Sequence, residues 1–212
     1  MKTLYWILGI FAVCVVLLFA LSGKGATLTP PLEVDKINPH DHVEGSDSST
    51  VVLFEYADFQ CPSCKAYYPL VRQLSQQYGN KIAIVYRYFP LTSIHMNAEF
   101  AARAAQAASL QGEDKFWAMH DLLFEKQDEW AQVADFMPLF QSYAQLAGLD
   151  VNKFNTDFNS PDVKNTIKAY ENYALKLGLQ GTPTFFLDGK QIENPTSLEA
   201  FKNIIDQALA QK

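Results

Sequence analysis

Cys61 and Cys64 enclose Pro62 and Ser63, and the third cysteine of the 212-residue chain, Cys14, lies far away in an apolar run. A pair so spaced can exchange electrons as dithiol and disulfide, hold a metal, or form a static cross-link. On a helix, residues at i and i+3 have Cβ atoms about 5–6 Å apart. A small adjustment of the first turn reaches the roughly 4.4–6.8 Å Cα separation of a disulfide. Pro62 suits the first helical position, having no N–H to lose and a fixed φ, so Cys61 falls at the N-cap. Unpaired backbone N–H groups and the positive end of the helix dipole favour an anion there. That anion is a thiolate, the reactive species in disulfide exchange. The expectation is an exposed, nucleophilic Cys61, with a shielded Cys64 one turn in that resolves the mixed disulfide. Each pKa unit by which Cys61 falls favours the reduced protein by about 1.4 kcal/mol. For a two-electron couple this is roughly 30 mV toward an oxidant.

Zinc is the main rival. A closed site takes four ligands, so His40 and His42 would have to join the two cysteines. The intervening proline and the preceding strand fit redox use better, and no metal or bound cofactor is expected. A static disulfide closing so short a loop restrains the unfolded chain little. A second stretch, Gly181-Thr182-Pro183-Thr184-Phe185, puts a proline at the lip of a strand; alone it reads equally well as an edge or turn residue. Asp58 reads as a loop cap, and His95 and His120 as packed or rim residues of helices. Phe116, Trp117, Leu122, Leu123 and Phe124 read as core. Phe59 and Tyr67 fit either a groove or the core.

The elements that must position these groups follow from periodicity. Thr50–Tyr56 is a β-branched and aromatic run, a buried strand that delivers the chain to the cysteines. Tyr67, Val71, Leu74 and Tyr78 at helical spacing predict a helix ended by Gly79-Asn80. Lys81–Phe89 is a second strand stopped by Pro90, which gives a βαβ unit with the cysteines at the strand-to-helix junction. No strand pattern appears between Phe89 and Gly181. Five helices are predicted there, along 96–107, 116–126, 136–147, 151–158 and 163–177. Thr184–Leu187, the turn Asp188-Gly189 and Lys190–Ile192 form a hairpin, and a last helix carries Leu198, Phe201, Ile205 and Ala208.

The N-terminus bears an unbroken apolar run from Leu4 to Leu21. Eighteen residues give about 27 Å of helix, close to the ~30 Å hydrocarbon thickness. Residues 1–25 therefore read as an uncleaved membrane anchor, with a cleaved signal segment as the competing reading. Residues 26–49, with prolines and no hydrophobic period, read as a tether leading into the domain. The rest of the chain crosses a membrane on either reading, into a compartment where disulfides persist. All 23 acidic residues but only 15 of the 17 basic ones follow Lys24, so the exported part has a net charge of −8. No basic stripe suggests nucleic acid.

Together, the segments 55–64, 116–124 and 181–186 and the stretch Val43-Glu44-Gly45 resemble the DsbA-like branch of the thioredoxin superfamily. The resemblance spans about Val43 to Ala210. It implies an α/β thioredoxin fold, a mixed sheet flanked by helices, formed by residues 50–90 and 179–212 with a helical domain inserted at 91–178. It also implies that Pro183 is cis beside the cysteines, and that Thr182 offers backbone hydrogen bonds to an extended substrate. Glu55, six positions before Cys61, matches a buried acid that relays a proton to or from Cys64; the alternative leaves it facing solvent. The implied activity is insertion of disulfides into exported, reduced or unfolded proteins, with reoxidation by a quinone-linked membrane partner. A reductase or isomerase, or a redox-inert binding module on the same fold, stays open. Two departures bear on oxidising power: Ser63 stands where the best-known member has histidine, and Thr182 where it has valine.

Overall fold

The computed structural model describes residues 33–212. The apolar run Leu4–Leu21 and Cys14 lie outside them; among the described residues no helix is long and apolar enough to cross a membrane. The elements are β1 (His42–Gly45), β2 (Val52–Ala57), α1 (Pro62–Tyr78), β3 (Ala83–Tyr88), α2 (Ala98–Ser109), α3 (Glu113–Glu125), α4 (Gln127–Trp130), α5 (Met137–Leu146), α6 (Val151–Asn159), α7 (Pro161–Lys176), β4 (Thr184–Leu187), β5 (Lys190–Ile192) and α8 (Leu198–Leu209).

They build one sheet of order β1-β3-β2-β4-β5. β2 and β3 run parallel, joined by α1 as a βαβ unit, and the remaining pairs are antiparallel. β2 is therefore interior, paired on both edges and buried along Leu53–Ala57. Period-2 alternation sorts its side chains. Leu53 faces α1 and α8, where it meets Val71, Leu74, Phe201 and Ile205. Phe54 and Tyr56 face Tyr173 and Ala174 of α7. Glu55 has the parity of Leu53, and its directly opposed neighbours are Tyr86 on β3 and Phe185 on β4. The helical block α2–α7 packs a third cluster around Phe116, Leu123, Trp130 and Phe140, which also takes in Phe59, Cys61 and Cys64. The active-site loop thus belongs to the sheet and to the insert at once.

Two elements differ from the sequence reading. β1 falls inside the stretch read as a tether; it pairs His42–Gly45 with Ala83–Tyr86. Four half-polar residues show no period of their own, and the exposed edge of β3 supplies the order. α4 adds a short helix between those predicted at 116–126 and 136–147.

Candidate active site

Cys61 is the N-cap of α1 in extended backbone geometry, with Pro62 opening the helix. Cys64 lies one turn in and is fully buried. Both are free thiols. The expectation of an exposed Cys61 is corrected: the residue keeps only 7% of its surface. The cover comes from the loop before β4, where the Thr182 carbonyl accepts a hydrogen bond from Cys61 Sγ at 3.3 Å. Pro62 and Ser63 are the exposed members of the motif.

The two sulfurs have opposite electrostatic surroundings. The Cys61 thiol is pushed down to about 5, chiefly by a hydrogen bond from Cys64, against opposing burial, with further help from the Thr182 side chain and the amides of Cys64 and Ser63. No full hydrogen bond from the Cys61 side chain caps the helix, so the amides act through their positive field more than as a cap. Thr182 Oγ1 is buried and makes no hydrogen bond within the protein, so its influence on Cys61 comes from proximity. The Cys64 thiol is pushed well above its ordinary value by burial, by Cys61 and by the charge of Glu55. The Asp58 N–H faces Cys64 Sγ at 3.5 Å.

Glu55 is 4% exposed, which excludes the solvent-facing alternative, and burial alone pushes its carboxyl up to about 8. The Thr182–Pro183 peptide bond is cis. Pro183 is buried, its carbonyl held by Asn194 Nδ2 at 2.8 Å, and Thr184 Oγ1 closes the same turn onto Gly181 O at 2.8 Å. Beside this loop, Gly178–Thr184 and Gln191 line an open groove of about 510 Å³.

Several supporting residues were not legible in the sequence. Gln127 Nε2 of α4 donates to Phe59 O at 2.7 Å and Cys61 O at 3.0 Å. Gln60 bridges Ala131 O and the Asn97 N–H, both at 2.6 Å. Asn97 Nδ2 in turn holds the carbonyls of Trp130 and Val133. Asp58 does cap the loop, accepting the Gln60 N–H at 2.7 Å. Among the rival ligands, His42 stacks on Phe116 and meets Glu113, Gln106 and Tyr88. Phe59 is core, Tyr67 packs on Phe185 and Phe201, and His120 is buried among Phe59, Tyr86 and Phe124.

A parallel βαβ unit, a dithiol at its strand-to-helix junction and a cis-proline loop against the first sulfur define a thioredoxin-type redox protein. A family model described as thioredoxin matches residues 37–207. A Rickettsia prowazekii protein whose name provisionally calls it a protein-disulfide oxidoreductase is 30% identical over 191 residues, covering 88% of this chain and 68% of its own. A sodium/proton antiporter of Salinispora tropica is 37% identical over 183 residues, 86% of this chain. The chain spans only 26% of that relative's length. The Wolbachia pipientis α-DsbA1 crystal structure superposes with a TM-score of 0.72 over 83% of this chain and 94% of its own, at 23% identity, a likeness of fold. The chain belongs to the thioredoxin family.

Proposed function

We propose that this protein is an extracytoplasmic thiol–disulfide oxidoreductase, tethered through Leu4–Leu21, that donates the Cys61–Cys64 disulfide to exported proteins. The observation that carries the reading is the opposition between the two sulfurs: Cys61 is held as a thiolate near neutrality while Cys64 is held protonated. In the oxidised protein a substrate thiolate attacks Cys61 Sγ. The substrate–Cys61 bond forms, the Cys61–Cys64 bond breaks, and the electron pair passes to Cys64. That buried sulfur takes a proton from Glu55, whose raised pKa keeps the carboxyl protonated at neutral pH. A second substrate thiolate then attacks the substrate sulfur of the mixed disulfide, and Cys61 leaves as a thiolate. The substrate carries away the disulfide, and Glu55 recovers its proton from solvent.

Thr182 offers backbone hydrogen bonds to the extended substrate in the groove beside Pro183. A membrane partner that delivers electrons to a quinone reoxidises the dithiol. The drop of the Cys61 pKa from 9.0 to about 5 spans pH 7, where about two of its units act, so at neutrality it favours the reduced protein by roughly 3 kcal/mol, or about 60 mV toward oxidant. A reductase or isomerase remains the second reading, because the Ser63 side chain adds no hydrogen bond to Cys61.

The test uses the full-length chain in detergent. Oxidised protein should transfer one disulfide per molecule to a reduced, unfolded substrate, and Cys61→Ser should abolish transfer. Equilibration with glutathione separates oxidant from reductase. No transfer from wild type, or transfer that survives Cys61→Ser, refutes the activity.

A further inference from the structure

The segment between β3 and α2 holds His95 between two of the most exposed large apolar residues, Ile94 at 71% and Met96 at 60%. Its own side chain turns inward, 16% exposed, and Nδ1 meets Asp58 Oδ2 at 2.6 Å. A backbone turn fixes it there, with the amides of Ile94 and His95 both donating to Leu91 O. Asp58 is fully buried at its side chain and is the hub of the cysteine loop. Its Oδ1 accepts the Gln60 N–H and its Oδ2 the Leu91 N–H at 2.9 Å. Its carbonyl accepts the Cys61 N–H at 3.0 Å, and its own N–H faces Cys64 Sγ. Among the described residues, His95 is the sole side chain that holds the Asp58 carboxylate.

We propose that His95 is a positioning residue for the resolving thiol: through Asp58 it fixes the N–H that faces Cys64 Sγ, and so sets how quickly Cys64 clears a mixed disulfide from Cys61. In that step the Cys64 thiolate attacks Cys61 Sγ. The Cys61–Cys64 bond forms, the bond from Cys61 to the foreign sulfur breaks, and the departing sulfur leaves with the electron pair and takes up a proton. The proton lost by Cys64 balances the one the departing sulfur gains, and Glu55 stays protonated throughout. An aligned N–H stabilises the attacking thiolate. With His95 removed, the Asp58 carboxylate keeps two backbone donors but loses the contact that orders it against the segment after β3, and the N–H is no longer held on Cys64. His95 touches neither sulfur, so attack on Cys61 itself is unaffected.

This rests on the dithiol-exchange reading above. The full-length reduced chain in detergent is loaded with glutathione at Cys61, and release of glutathione is timed. Cys61 alkylation by iodoacetamide is followed in parallel. His95→Ala should slow release about fivefold, the worth of one ordinary hydrogen bond, and leave alkylation of Cys61 unchanged. His95→Gln, which can still donate to Asp58, should recover most of the rate and covers the case in which the alanine variant folds poorly. Release at the wild-type rate in His95→Ala overturns the proposal. So does a loss of Cys61 alkylation equal to the loss of release, which marks general distortion. A wild-type chain that forms no mixed disulfide refutes the exchange reading and this proposal with it, whereas wild-type turnover with an unaffected His95→Ala refutes this one alone.

Discussion

Replacing Glu55 by glutamine should stabilise the protein by an amount that grows with pH. The carboxyl lies on the central strand between Tyr86 and Phe185, and burial raises its pKa from 4.5 to about 8. A group raised in the folded state stabilises it fully below the unfolded pKa, and that contribution is lost as pH climbs to the folded pKa. Each pH unit between 4.5 and about 8 therefore removes about 1.4 kcal/mol of wild-type stability. Glutamine keeps the shape and polarity of the protonated acid but has no charge to lose. Relative to wild type, Glu55→Gln should be neutral near pH 4, about 3 kcal/mol more stable at pH 7, and about 5 kcal/mol more stable above pH 8. Urea unfolding of the oxidised full-length chain and variant at several pH values measures the gap with neither active-site thiol titrating. A gap independent of pH would show that Glu55 is ionised in the folded protein, and the proton-donating role would fall with it.

Other outcomes follow from the same geometry. The Cys61 thiol should titrate near pH 5 by alkylation rate or thiolate absorbance; this depressed value stabilises the reduced protein increasingly from pH 5 upward, so the reduced form should gain on the oxidised form through neutrality. Ser63→Ala should leave that titration unchanged, since the Ser63 hydroxyl takes no part in holding the sulfur; a rise of a full pH unit would contradict this. Gln127→Ala strands two buried carbonyls, Phe59 O and Cys61 O. It should cost about 2–3 kcal/mol in urea unfolding of the full chain, and a loss within error would mean that solvent replaces the amide.

The parts legible in the sequence were those with local causes. β2 announced itself by its β-branched run, α1 by its proline start and helical spacing, and the hairpin by Asp188-Gly189, whose positive φ values of 48° and 78° are the turn's own requirement. What failed depended on partners far along the chain. β1 exists only because β3 has an edge to fill. Cys61 was expected in the open, but its lid is a carbonyl 121 positions away. Gln127 and His95 reach the loop across 66 and 37 positions, and nothing in a glutamine after a helix, or a histidine between Ile94 and Met96, marks the reach. Glu55 was placed by resemblance alone, because a carboxylate within an apolar run looks the same on either face of a strand.

The buried amides of Gln60, Asn97 and Gln127 have a consequence for anyone dissecting this protein. They stitch the turn that bears the sulfurs to a lobe spliced in far downstream, so the α/β half excised on its own would lose the donors that hold the turn and bare Phe59, Cys61 and Cys64 to water. The inserted lobe is scaffolding for the reactive turn as much as a wall beside it, and a transplant of the four-residue motif into another host would travel without its foundations.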